Sequence, residues 1–240
     1  MPTLESAVLE KPRFTQLIFT SVDIESRSET IKATYWLLLA SVTCAGIGGY
    51  IGSQSEELWQ FFTSTFGIIT GLLLLNFVPF IALRFIEQPR WGLLALGVDG
   101  FLSGIVISPL LHFAAYNAPE LIWVALGLTI AVFASVTGYI MVTGKTYSAP
   151  QALMAGVFLS IIAAVLLGTQ FNLGVFEVVI AAVLAVFGVV VLVSNTSRVL
   201  LNPLAVGAVP GALMLFAGIF NVFVGVLRIL LFIMSAGRRR

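Results

Sequence analysis

The chain is poor in charge. Only 10% of its 240 residues are Asp, Glu, Lys or Arg, while 59% are hydrophobic; a soluble domain carries about 25% charged residues. With a mean hydropathy of +1.07, this much apolar surface cannot be hidden within one water-exposed fold, so a lipid bilayer is the expected solvent. Net charge is +1, which leaves nucleic acid without an electrostatic basis for binding. The single cysteine, Cys44, lies in an apolar run. It excludes an intrachain disulfide and a cysteine metal site and reads as a small buried residue. The only lysines are Lys11, Lys32 and Lys145, so a retinal Schiff base in the last helix is excluded. With one histidine, scattered acids and no HExxH, GxSxG or phosphate-loop pattern, neither an enzyme nor a resident cofactor or metal is expected. An intramembrane protease would need two aspartates or a nucleophile and base within spans, and only Asp99 is available. No internal repeat of the kind common in secondary transporters is found.

What the chain does have is long apolar runs. A membrane helix takes about 20 apolar residues, and runs of that kind fall near 32–52, 60–83, 92–115, 120–143, 151–169, 174–194 and 208–234. They are continuously apolar rather than alternating, which argues against a barrel. The expected fold class is therefore an all-α membrane protein, a seven-transmembrane-helix bundle over residues 31–235. A polar tail (1–30) precedes it and a basic tail (236–240) follows. Residues 1–30 carry Glu5, Glu10, Lys11, Arg13, Asp23, Glu25, Arg27 and Glu29 without a sustained apolar stretch, so they do not read as a signal peptide. A solvated, disordered tail is expected, with Phe14 to Ile24 as a patch for a membrane surface or a partner. Gly48 and Gly52, and Gly100 and Gly104, have the GxxxG spacing that lets helix backbones approach closely.

The connections alternate in charge. Arg84 and Arg90, Lys145, and Arg198 mark the second, fourth and sixth; Glu56 and Glu57, Glu120, and Glu177 mark the first, third and fifth. Positive loops stay cytoplasmic, which places the N-terminus inside. Seven spans then put Gly237 to Arg240 (GRRR) outside, against the same rule. Either those arginines are translocated, or the last segment, preceded by Pro203 and Pro210, does not cross fully.

Ionisable groups inside a span are costly and mark functional sites by default. Asp99 stands about 12 Å into the third span at 1.5 Å per residue. A carboxylate alone there would be unstable in its charged form; paired with Arg84 or Arg198 it would stay charged. A structural ion pair or a hydrogen-bonded neutral acid is weighed against a proton or cation site. His112, near the far end of the same span, reads as a satisfied interfacial histidine, and Arg228 as a snorkelling or capping residue. The segment LVSNTSRVL (Leu192 to Leu200) places Ser194, Asn195, Thr196, Ser197 and Arg198 in succession, a polar knot at the end of the sixth span. Its Asn-Thr-Ser sequon falls at a cytoplasmic edge and is not read as a glycan site.

Four stretches together carry a family resemblance: IKATYWLLLASVTCAGIGGYIG in the first span, SGIVISPLLHFA in the third, VSNTSRVL ending the sixth and LFAGIFNVFVGVLRIL in the last. From about Ile31 to Leu231 the chain resembles the Bax-inhibitor family, most closely its bacterial YccA-like branch. The resemblance implies a seven-helix bundle with the last helix near its centre. It also implies one of two activities: a pH-sensitive calcium leak, or restraint of an AAA-type membrane protease (FtsH). In the calcium-conducting members two aspartates, ending the sixth helix and within the seventh, are latched by an arginine ending the second. Carried across, the arginine falls on Arg84, the acids on Asn195 and Gly218, and Asn221 and Arg228 match. The arginine is kept and both acids are lost. Asn and Gly cannot titrate and give calcium no anionic oxygen. The first expectation is therefore a non-enzymatic bacterial inner-membrane protein modulating an FtsH-type protease or another membrane partner. The alternative is a calcium, cation or proton leak in which Asp99 titrates beside Arg84.

Overall fold

The computed structural model describes residues 11–84, 89–148 and 175–237, with side chains for 25–78, 91–148 and 178–236. The predicted fifth span, 151–169, lies outside the described residues. Among those described there is no strand. Nine helices follow one another: α1 (Lys11–Gln54), α2 (Glu56–Thr63), α3 (Thr65–Arg84), α4 (Pro89–Val106), α5 (Ser108–Asn117), α6 (Glu120–Thr143), α7 (Val175–Leu201), α8 (Pro203–Val206) and α9 (Ala208–Gly237). Four segments are long and apolar enough to cross a membrane singly: Glu25–Gln54, Glu120–Thr143, Val178–Leu201 and Ala208–Ala236. Two bent pairs, α2 with α3 and α4 with α5, raise the number to six if each pair is one span.

The bends have local causes. The Ser55 hydroxyl accepts from the Leu58 amide at 3.4 Å, and Glu56 and Glu57 occupy the positive first turn of α2. Ser64 ends that turn: its hydroxyl donates to the Phe61 carbonyl at 2.6 Å and accepts from the Gly67 amide at 3.1 Å. The chain turns there by 92°, which sets α2 apart from α3 as a short helix. In the predicted third span, Pro109 removes a donor and crowds the carbonyl four residues back. The helix breaks at Ile107 and α5 leaves α4 at 53°. Gly144, in the left-handed region at φ 60°, ends α6 at its predicted boundary.

The tail departs from expectation. It is not disordered from Lys11 onward, because α1 runs unbroken for 44 residues. No glycine or proline interrupts Arg13 to Cys44, and Pro12 sits in the first turn, where proline is tolerated. The Arg27 guanidinium donates to the Leu201 carbonyl at 2.9 Å, tying this helix to the end of α7. Nor is the last segment cut short. Pro210 lies in the first turn of α9, and the helix continues for 30 residues, about 45 Å at 1.5 Å per residue.

Six exposed aromatic side chains mark two levels. Trp36, Trp91 and Tyr139 lie toward the end from which the N-terminal part of α1 projects, here the near end, and Tyr50, Tyr116 and Trp123 lie toward the far end. From Trp36 to Tyr50, and from Trp123 to Tyr139, the helix rise is roughly 21–24 Å, the separation expected of interfacial aromatic belts. Tyr147, after α6, lies at the near end, where its amide donates to the Ser197 hydroxyl.

Because lipid is as apolar as leucine, close packing takes over the role that water expulsion plays in a soluble core. Both GxxxG pairs serve this within one chain. A side chain on Gly100 or Gly104 of α4 would collide with the Ser41 or Ala45 carbonyl of α1, and one on Gly48 with the Phe101 carbonyl. Helices α7 and α9 interlock likewise: a Cβ on Gly188 would stand 2.7 Å from the Val222 amide, and one on Gly225 2.7 Å from that of Ala185. Helix α9 touches α1, α4, α6 and α7, so the last helix is the centre of the bundle. Leu96, Leu192, Leu213, Leu215 and Phe216 form its main buried cluster.

Candidate functional site

A cavity of about 950 Å³ opens between α3, α4, α7 and α9. Asp99 lines it, and its side chain is only 4% exposed. A Cβ on Gly92 would meet Val209 at 2.8 Å, which sets α4 and α9 side by side, parallel, with Asp99 level with Phe216. Below that level, toward the near end, lie Leu96 and Leu213 of the buried cluster, while Leu192, against which Gly218 packs, stands about 3 Å above it. Above it, lining residues continue to Phe62 of α2, Phe113 of α5 and Ser235 of α9, all at the far end. Among the described residues Asp99 is the one carboxyl in its lining.

No ion pair joins Asp99 to Arg198 among the described residues. Among the described residues Asp99 makes no hydrogen bond or salt bridge. Arg198 lies in the last turn of α7, about 9 Å nearer the near end than Leu192 by helix rise. Arg84 ends α3, and its side chain lies outside the described residues. Arg228 and Asn221 line the same cavity as Asp99. By the α4–α9 register Arg228 stands about 18 Å further toward the mouth, too far to neutralise the acid.

The two latch positions hold the bundle together. The Asn195 carboxamide donates to the Met214 carbonyl of α9 at 2.8 Å, a clamp between α7 and α9 that a carboxylate, lacking a donor, cannot make. Gly218 is buried against α7, where a Cβ would lie 3.1 Å from Leu192 Cα and Cβ and 3.2 Å from its Cδ1. Around Asn195 the polar knot is largely internal. The Ser197 hydroxyl donates to the Ser194 carbonyl at 2.8 Å and exchanges 3.1 Å contacts with the Tyr147 backbone, joining α7 to the chain after α6. Thr196 is fully buried, its hydroxyl without a partner.

His112 is satisfied. Its Nδ1 lies 2.9 Å from the Ser53 carbonyl, so that nitrogen carries the proton, and the ring stacks on Trp59 at 4.4 Å. Cys44 is half-buried rather than buried, facing Gly97 of α4. Four polar lining residues, Thr63, Asn76, Ser103 and Ser235, escaped the sequence reading. Ser103, 3% exposed, lies one turn beyond Asp99 on the same helix face, a spacing that was legible. Asn76 interrupts the apolar run of α3, and its amide donates to the Leu72 carbonyl at 2.6 Å. Among the described residues no three His, Cys, Asp or Glu side chains come together as a metal site.

The comparisons with known proteins agree with this architecture. Over residues 27–236 the chain matches the family described as inhibitor of apoptosis-promoting Bax1. It is 28% identical over 211 residues to an uncharacterized protein of Campylobacter jejuni, covering 83% of this chain and 87% of the other. It is 23% identical over 205 residues to an uncharacterized protein of Pseudomonas aeruginosa, covering 84% and 88%. A Helicobacter pylori protein is 23% identical over 206 residues, covering 83% and 85%. With apolar helices around a central last helix and a family match along most of its length, the chain is a membrane protein of the Bax-inhibitor family.

Proposed function

We propose that the chain is a non-enzymatic protein of the bacterial inner membrane, N-terminus cytoplasmic, that modulates a membrane AAA protease of the FtsH type or another membrane partner. The observation that carries this reading is the structural use of both latch positions: Asn195 clamps Met214, and Gly218 is packed on Leu192. A bundle whose switch positions serve as fastenings is suited to presenting a fixed surface. Helix α1 supplies one. At 44 residues it is roughly 66 Å long, about twice the hydrocarbon thickness, and Arg27 pins it to Leu201 where it leaves the bundle. Pull-downs from bacterial membranes with the full chain and with a chain lacking residues 1–30 test this. The protease should co-purify with the full chain and be depleted on truncation; its absence from both refutes the reading.

A second reading is favoured by one observation, the Asp99 carboxyl lining the cavity without a partner among the described residues: a cation, calcium or proton leak with Asp99 as the titrating group. One acid with hydroxyl and carboxamide neighbours is a poor calcium site, since that ion takes six to eight oxygens, several of them anionic. Protons or monovalent cations suit the site better. Vesicles containing the chain should then leak faster than protein-free vesicles between about pH 5 and 8. An unchanged rate ends this reading, whereas a leak that survives Asp99→Asn removes only the role of Asp99.

A further inference from the structure

We infer that the recess between α3, α4, α7 and α9 is a binding site for a bulky organic monocation, an ammonium with an apolar body, whose charge is held by Asp99. Three independent features of the cavity point to this class. The first is the acid. A carboxyl 4% exposed and without a partner among the described residues lines the cavity. Burying such a group without a counter-charge is unfavourable, so a cation seated there removes a penalty that the empty protein bears. The second is the wall. Phe187, Phe216 and Phe220 line the cavity, and aromatic faces attract ammonium groups whose substituents have displaced water. The third is the scarcity of oxygen. Near Asp99 the lining offers the Ser103 hydroxyl and the Asn76 and Asn221 carboxamides. That is too few donors to replace the hydration shell of a small inorganic cation, but enough to orient one N–H or a polarised methylene.

Size and shape agree. A volume of about 950 Å³ lies at the upper end of small-molecule pockets, which are mostly apolar with a few convergent polar groups. Most of the lining lies on the far-end side of Asp99, so the ligand lies head at Asp99 and body toward the far end. Binding here requires neither conduction nor a protein partner, so its failure leaves both readings above untouched.

The test uses the full chain in lipid nanodiscs. Tetraphenylphosphonium is titrated calorimetrically, with tetraphenylborate as an anion of the same shape and protein-free nanodiscs as the partition baseline. The expected result is saturable binding of one phosphonium per chain, no saturable borate binding, and affinity weakened at least about tenfold by Asp99→Asn. Equal affinities in wild type and Asp99→Asn, equal saturation by the borate, or no saturable component would each overturn the inference. So would displacement of the phosphonium by potassium chloride in excess over the same ionic strength of choline chloride, since that marks a site for an inorganic cation. If Asp99→Asn fails to fold, the cation–anion comparison in the wild-type chain decides alone.

Discussion

Gly218 gives the sharpest quantitative test of the bundle's fastening. A Cβ there would stand at 3.1 Å from two Leu192 atoms and 3.2 Å from a third, so α7 and α9 must separate by a few tenths of an ångström to accept it. Overpacking of this size costs about 1–3 kcal/mol. Replacing a mid-helix glycine by alanine returns about 0.5–1 kcal/mol, so Gly218→Ala should be neutral to about 2 kcal/mol destabilised. Gly218→Asp meets the same clash and adds a carboxyl buried without a partner, a further cost of about 1–3 kcal/mol. The two variants and the wild type can be compared by SDS titration in mixed micelles, with tryptophan fluorescence reporting unfolding. The predicted order is wild type, then Ala, then Asp, with Ala and Asp separated by at least about 1 kcal/mol. An aspartate variant as stable as the wild type would refute the packing argument and leave the family latch position open in this chain.

Three other substitutions test separate contacts. Asn195→Asp exchanges the donor to Met214 for an acceptor facing a carbonyl and should cost about 1–3 kcal/mol in the same titration; Asn195→Gln in that assay checks whether length or donor matters. Gly104→Leu drives a side chain into the Ala45 carbonyl and should separate α1 from α4, read as loss of the monodisperse peak in size exclusion. His112→Ala removes both the Ser53 hydrogen bond and the Trp59 stack, a loss of about 1–2.5 kcal/mol. Its effect should be localised, with amide exchange rising around Ser53 and Trp59 before it rises at Leu192.

Much of the architecture was legible because lipid imposes a simple rule on sequence. Long apolar runs must be helices, and their ends at Thr143 and Ala208 were placed where the structure has them. Glycine spacing announced the α1–α4 seam, since in lipid only small residues let backbones approach. The bends at Ser64 and Ile107 were not foreseen. Apolar composition is blind to direction, and the cues were one serine that caps and one proline within an otherwise uniform run. The helical extension of α1 was missed because polar composition says where a segment sits, not whether it is folded. At the site, the acid was found from cost alone; of its two expected partners, Arg198 makes no ion pair with it among the described residues, and the side chain of Arg84 lies outside them.

The central claim is that Asn195 and Gly218, the positions to which the family resemblance assigns latch acids, serve here as packing contacts between α7 and α9. Calcium flux through the full chain in sealed proteoliposomes, followed with an entrapped indicator and stepped between about pH 5 and 8, tests it most directly. The account predicts rates equal to those of protein-free vesicles at every pH. A calcium flux that depends on the protein and rises or falls across that window would contradict it.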